Sequence, residues 1–155
     1  MSIAAVKDYL AQWGRDKDVL EFSVSSATVE LAAQAAGVIP ARIAKTLSFR
    51  SGEGCILVVT AGDARIDNVK FKETFGLKAR MLSPEEVYDY TGHQIGGVCP
   101  FAIARQDVFV YCDRSLERFE TVFPACGSSN SAIELTCPDL FTYANALDWV
   151  DVCKI

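Results

Sequence analysis

The sequence predicts an α/β fold of the α+β type: one mixed, partly curled β-sheet with helices packed around it, in a single domain. Three observations predict it. Strand-like and helix-like runs are interspersed without the regular βαβ alternation that builds a parallel sheet. Several strand-like runs follow one another directly. A chain of 155 residues, 50% of them hydrophobic, is also long enough to bury one core of ordinary size, and it holds no internal repeat, low-complexity tract or linker.

The elements follow in order. Within the N-terminal segment 1–18, Ile3, Val6, Leu10 and Trp13 form one stripe at helical spacing, which predicts a helix over residues 2–14. The run VLEFSV, residues 19–24, predicts a strand. Thr28 is placed to cap a helix over VELAAQAA that stops at Gly37. IAKTLSFR (43–50), a Gly-Glu-Gly turn (52–54) and CILVVTAG (55–62) read as a hairpin. A helix over about 67–75 ends near Gly76. Ser83-Pro84-Glu85-Glu86 carries a capping residue, a proline at the first helical position and a glutamate at the third, and opens a helix that ends near Gly92. Strands are then expected at 108–112, 120–125 and 132–136, a last helix over PDLFTYANA, and a terminal strand WVDVCK.

Three stretches carry chemistry. In IAKTLSFR, alternation places Lys45 in line with Ile43, Leu47 and Phe49. An ammonium on an apolar face must snorkel, pair with a carboxylate or meet an anionic ligand, because burying it unpaired is costly. TGHQIGGVCPF (91–101) holds three glycines in seven positions but matches neither the dinucleotide fingerprint nor a P-loop. Such a loop is either purely structural or a cradle of backbone N–H groups for an anion or oxyanion. PACGSSNSAIEL (124–135) places Gly127, Ser128, Ser129, Asn130 and Ser131 between two strands, where small polar side chains cap a loop or bind a polar ligand.

Charge and cysteine content narrow the classes. Net charge is −5, which argues against broad, nonspecific DNA or RNA binding. Residues 42–80 nevertheless hold eight basic and four acidic residues, an excess of +4 that leaves −9 for the remainder. This segment is either a solvated face or a local platform for a polyanion. The six cysteines form no CxxC pair and the single histidine is His93, so neither a metal site nor a cofactor is expected, and reduced buried thiols are. No apolar run approaches the roughly 18 residues of a membrane span, and the amphipathic start is unlike a signal peptide, so a cytoplasmic protein is expected. Cys99 and His93 lie six residues apart and could form a thiol–imidazole dyad, although neither has an evident orienting partner. The alternative uses no side-chain nucleophile: backbone N–H groups from Gly96 to Cys99 stabilise an oxyanion while Lys45 anchors a phosphate.

Thr28-Val29-Glu30 opening a helix, Ala44-Lys45-Thr46-Leu47 on a strand, GGVCPF at 96–101 and GSSNSAIEL at 127–135 occur here in that order. Together they resemble the YbaK family, which includes the editing domain inserted in bacterial prolyl-tRNA synthetases and its free-standing relatives. The resemblance runs from about residue 19 to the C-terminus. It implies a barrel-like mixed sheet flanked by helices, and hydrolysis of the ester in a mischarged aminoacyl-tRNA, often proline tRNA. By similarity, Lys45 contacts the phosphate beside the terminal adenosine, and Gly96, Gly97, Val98 and Cys99 form the loop whose backbone holds the aminoacyl end. Thr46, Pro100, Phe101, Gly127, Ser128, Ser129 and Asn130 complete the implied substrate site. The chain departs from the family pattern at Ala102, where a glycine commonly follows the Pro-Phe pair, and lacks the histidine-containing motif of alanine-clearing members near 124–131. The implied partner is the 3′ aminoacyl end of tRNA, met alone or while docked on a synthetase. A non-hydrolytic module that binds aminoacyl-tRNA or a nucleotide is the alternative.

Overall fold

A computed structural model describes residues 2–155. The chain runs through α1 (Ser2–Ala11), β1 (Leu20–Glu21), α2 (Val29–Ala36), β2 (Ile43–Ser51), β3 (Gly54–Ala61), β4 (Arg65–Ile66), α3 (Asn68–Phe75) and α4 (Pro84–Thr91). It continues through β5 (Val108–Asp113), β6 (Thr121–Pro124), β7 (Ser131–Ala132), β8 (Leu135–Thr136), α5 (Cys137–Tyr143), β9 (Trp149–Val150) and β10 (Cys153–Lys154). Six strands form a mixed sheet in the order β8-β6-β2-β3-β5-β9, curled into a half-barrel with the five α-helices around it.

The β2–β3 hairpin is the spine. Its antiparallel register runs from Ala44↔Ala61 to Ser51↔Gly54. Every residue of β3 is buried, because β3 lies between β2 and the parallel strand β5 and is covered on both faces. That explains why CILVVTA shows no alternation. Leu57, Val58, Phe101, Leu116, Ile133 and Leu140 are fully buried members of the main core. Val6 and Leu10 bring α1 onto that core, and the Trp13 ring stacks on Tyr143 at 4.3 Å. The predicted caps are present: Thr28 Oγ1 accepts from Leu31 N–H at 3.2 Å, and Ser83 and Glu86 form a reciprocal capping box.

Several predicted elements are shorter or divided. The 19–24 strand is reduced to Leu20–Glu21 paired with β7, after which Phe22 bonds Asn130 through both backbone and side chain. The 132–136 strand divides into β7 and β8, which pair with different partners. WVDVCK also divides: β9 pairs with β5, and β10 with β4. α1 ends at Ala11 rather than residue 14, and the last helix spans Cys137–Tyr143 with Thr136 as its cap. The runs 132–136 and 149–154 each meet two neighbours in succession, which period alone does not reveal. The expected sidedness of 43–50 also fails. Ala44 and Ser48 are as buried as Ile43 and Phe49, because helices and loops cover both faces of β2.

Candidate functional site

A gap in the sheet makes the site. β2 and β6 pair in parallel for only two residues, Ile43↔Phe123 and Ala44↔Pro124. Farther along β2 the same edge closes again: Leu82 N–H donates to Ser48 O at 3.2 Å and Arg50 N–H to Arg80 O at 2.8 Å. Even-numbered peptides of β2 therefore point away from β3, and Thr46 presents its N–H and C=O to the open interval between these closures. A cavity of about 250 Å³ occupies that interval. Residues of both parities of β2 border it, since it lies at the strand's edge. The start of α2, Val87 of α4, the 95–98 loop and β7 supply the other walls.

Lys45 is the one charged side chain lining this cavity among the described residues. Its Nζ donates to Ala64 O at 2.6 Å and Gly62 O at 3.3 Å, on the turn after β3. That turn is pinned in part by Arg118, whose guanidinium bonds both oxygens of Asp63 at 2.6 and 3.1 Å and holds that carboxyl below its usual pKa. Half-burial lowers the Lys45 pKa; Asp63 and Glu30 oppose the shift without cancelling it. The lysine is thus anchored by neutral carbonyls rather than neutralised by an ion pair. Other cations of the 42–80 segment differ. Arg42 pairs with Glu134, Arg50 with Glu86 and Lys70 with Asp151, so the acidic remainder balances three of them.

The 96–98 loop is held by close backbone packing. Gly96 has φ +94°, and a Cβ on Gly97 would lie 2.7 Å from Ser128 N and 2.8 Å from Gly127 C, so no other residue fits there. Gly97 N–H is occupied by Gln94 O at 3.0 Å. This leaves the N–H groups of Gly96, Val98 and Cys99 as the loop's candidate donors, with Gly96 and Val98 at the cavity wall.

The remaining predicted site residues divide into those at the cavity and those behind it. Thr46, Gly96 and Val98 line it with Lys45. Cys99, Pro100 and Phe101 are buried below the loop, and Gly127, Ser128, Ser129 and Asn130 support it from behind while their neighbour Ser131 lines the wall. Ser128 Oγ bonds Asn130 Oδ1 at 2.9 Å and Ser131 Oγ at 2.7 Å, which serves the loop itself. Ser26, Met81 and Ile95 line the cavity and were absent from the sequence-derived set. Ser26 lies in a stretch that reads as helix lead-in, and Met81 and Ile95 stand out only once the fold exposes them at 64% and 63%.

The thiol–imidazole pair does meet, with Cys99 Sγ 3.4 Å from His93 Nε2, yet it is inert. Nε2 lies 2.8 Å from Phe101 O, a group that only accepts, so Nε2 carries the proton and cannot take one from the thiol. Nδ1 is engaged by Ser2 Oγ. Burial raises the Cys99 pKa to about 12 and lowers that of His93, the reverse of an activated pair. Among the described residues no group of three or more His, Cys, Asp or Glu is arranged to hold a metal.

The family model of the aminoacyl-tRNA editing domain matches residues 24–143, which include every wall of this cavity. The chain belongs to that family. Among its relatives is the Bacillus subtilis protein YwhH, of uncharacterised function, 59% identical over 155 residues that cover 99% of this chain and 98% of that protein. A crystal structure provisionally described as a trans-editing enzyme for prolyl-tRNA synthetase superposes with a TM-score of 0.88 at 30% identity, covering 99% of this chain and 98% of that one. The proline–tRNA ligase of Thermotoga maritima is 29% identical over 93 residues, 59% of this chain but only 16% of the ligase. In this editing domain, Lys45, Thr46, Gly96 and Val98 line one largely apolar cavity, with Lys45 its single cation among the described residues.

Proposed function

We propose that this chain is a trans-acting hydrolase that removes the amino acid from a mischarged tRNA, with proline tRNA as the expected carrier. The observation that carries the reading is the cavity: its walls are mainly apolar with a few hydroxyls, its one charged group among the described residues is Lys45, and Gly96 and Val98 of the loop line it. About 250 Å³ lies just below the roughly 300–1,000 Å³ of ordinary ligand sites, so it suits an aminoacyl group while the nucleotide stays outside. Lys45 then meets the phosphate beside the terminal adenosine, and exposed Met81 and Ile95 offer an apolar rim to the base.

The chemistry needs no protein nucleophile. Water attacks the ester carbonyl carbon, and negative charge develops on the carbonyl oxygen opposite the Gly96 and Val98 N–H groups. The bond to the ribose oxygen then breaks, and that oxygen leaves with a proton. One oxyanion donor contributes about 2.7–4 kcal/mol in acyl-transfer enzymes, and an aminoacyl ester is already activated, so two backbone donors and good positioning can suffice. With the thiol of Cys99 buried and protonated, water is the available nucleophile.

The test is deacylation of a panel of aminoacyl-tRNAs, mischarged proline tRNA included. Turnover of noncognate species with sparing of prolyl-tRNA is expected. Saturable binding without release of any amino acid would instead identify a non-hydrolytic binding module. Adding prolyl-tRNA synthetase to the assay reads whether docking on the synthetase raises the rate.

A further inference from the structure

Two solvent-shielded hydroxyls at the cavity have no partner. Ser26 Oγ and Thr46 Oγ1 are shielded from solvent, yet neither forms a hydrogen bond among the described residues, and both residues line the cavity. They belong to different elements. Ser26, only 7% exposed, precedes α2 and is fixed by its own N–H on Ser129 O at 2.6 Å; Thr46 sits mid-way along the open edge of β2. Of the other hydroxyls at the wall, Ser48 Oγ on β2 also forms no hydrogen bond among the described residues, and two are already engaged. Thr28 Oγ1 caps α2, and Ser131 Oγ pairs with Ser128 Oγ.

Buried hydroxyls are normally satisfied, and leaving one unpaired destabilises the protein. Two at one cavity point to a guest that supplies the missing partners. The ester and the α-ammonium are common to every aminoacyl-tRNA, so pairing with them selects nothing. The side chain is the part that differs. An aliphatic side chain would leave both hydroxyls unpaired beside it, whereas a hydroxyl both donates and accepts and can satisfy the two at once. A site with polar groups waiting for a substrate hydroxyl rejects the analogue that lacks it far better than an apolar pocket rejects an extra methylene.

Building on the deacylase reading, we propose that the cavity selects aminoacyl groups bearing a side-chain hydroxyl, serine or threonine, over aliphatic groups of the same shape. Thr46 and Ser26 are the specificity-determining partners. The step itself is unchanged ester hydrolysis; the hydroxyl contacts act on which substrate is held in place.

The experiment compares kcat/KM for two isosteric pairs on the same tRNA: threonyl against valyl, and seryl against 2-aminobutyryl. Wild-type protein is expected to favour the hydroxylated member by about 5- to 100-fold. Thr46→Val, which keeps the shape, and Ser26→Ala should each move that ratio toward one. A wild-type ratio at or below one overturns the inference while leaving the deacylase reading intact. A Thr46→Val variant that slows both members equally also overturns it, because the hydroxyl would then serve a part shared by all substrates. Absence of turnover on every charged tRNA overturns both. Thermal melting of the free protein is an independent check: Thr46→Val should hold or raise Tm, and a clear fall would show that the hydroxyl is satisfied within the fold.

Discussion

Replacing Lys45 by methionine keeps the aliphatic stem and removes the ammonium. An ammonium has three N–H donors. Two are directed to Ala64 O and Gly62 O, at 2.6 and 3.3 Å, which leaves one for a phosphate oxygen. One hydrogen bond to a charged group is worth about 1.5–3 kcal/mol, so kcat/KM should fall by roughly 10- to 150-fold. Stability should fall by about 1–3 kcal/mol, because the lysine forms no ion pair but its removal leaves the carbonyl of fully buried Ala64 without its donor, while Gly62 O lies on a partly exposed residue. Each kcal/mol corresponds to a Tm change of about 2–4 °C. pH gives a second signature. Burial lowers the Lys45 pKa from 10.5, so anion binding should weaken at a pH below that value as the ammonium loses its proton. Stability should move oppositely, since between the lowered folded pKa and 10.5 the unfolded chain binds more protons and raising pH favours the fold. Deacylation rates across pH, paired with melting curves, read both effects. A folded Lys45→Met protein with wild-type kcat/KM would refute the phosphate-anchor argument.

Cys99→Ser should retain kcat/KM within about threefold and lose about 1–2 kcal/mol of stability, as a tightly packed sulfur is replaced by a smaller polar group; abolished turnover in a folded variant would restore the thiol as a reactant. Ala102 holds φ +59°, a conformation that costs an L-residue about 1–2 kcal/mol, so Ala102→Gly should stabilise by roughly 0.5–1 kcal/mol after the added backbone entropy of glycine, seen as a higher Tm. His93 has a folded pKa below 6.5 because it is buried neutral, so its contribution is fully present above 6.5 and declines as pH falls toward the folded pKa. Urea midpoints measured between pH 7 and 5 should show that decline in wild type, and His93→Gln should flatten it.

Ala102 also shows how far sequence and structure inform one another. The departure from glycine was visible in the sequence, but its consequence needed the backbone angle. Much of the fold was legible because its signals are local. Caps at Thr28 and Ser83, glycine stops after the helices, and the Gly-Glu-Gly hairpin turn depend on residues within a few positions of one another. The mixed, curled sheet followed from the order of those signals. Strand partners were not legible: 132–136 and 149–154 look like continuous runs, and only the packed chain divides each between two neighbours.

The site divides in the same way. Sequence by itself singled out Lys45 as an ammonium among apolar neighbours and marked the 96–101 loop by its glycines, because a misplaced charge and a cluster of small residues are properties of short segments. Tertiary structure decided the rest. The cavity exists because β2 and β6 separate after two paired residues, and that separation depends on segments about 80 residues apart in the chain. It set Gly127–Asn130 behind the wall rather than in it, satisfied His93 with a carbonyl instead of a thiol, and left Ser26 and Thr46 without partners. Whether a hydroxyl is paired or waiting depends on every atom within about 3.5 Å, and only the folded chain brings those atoms together.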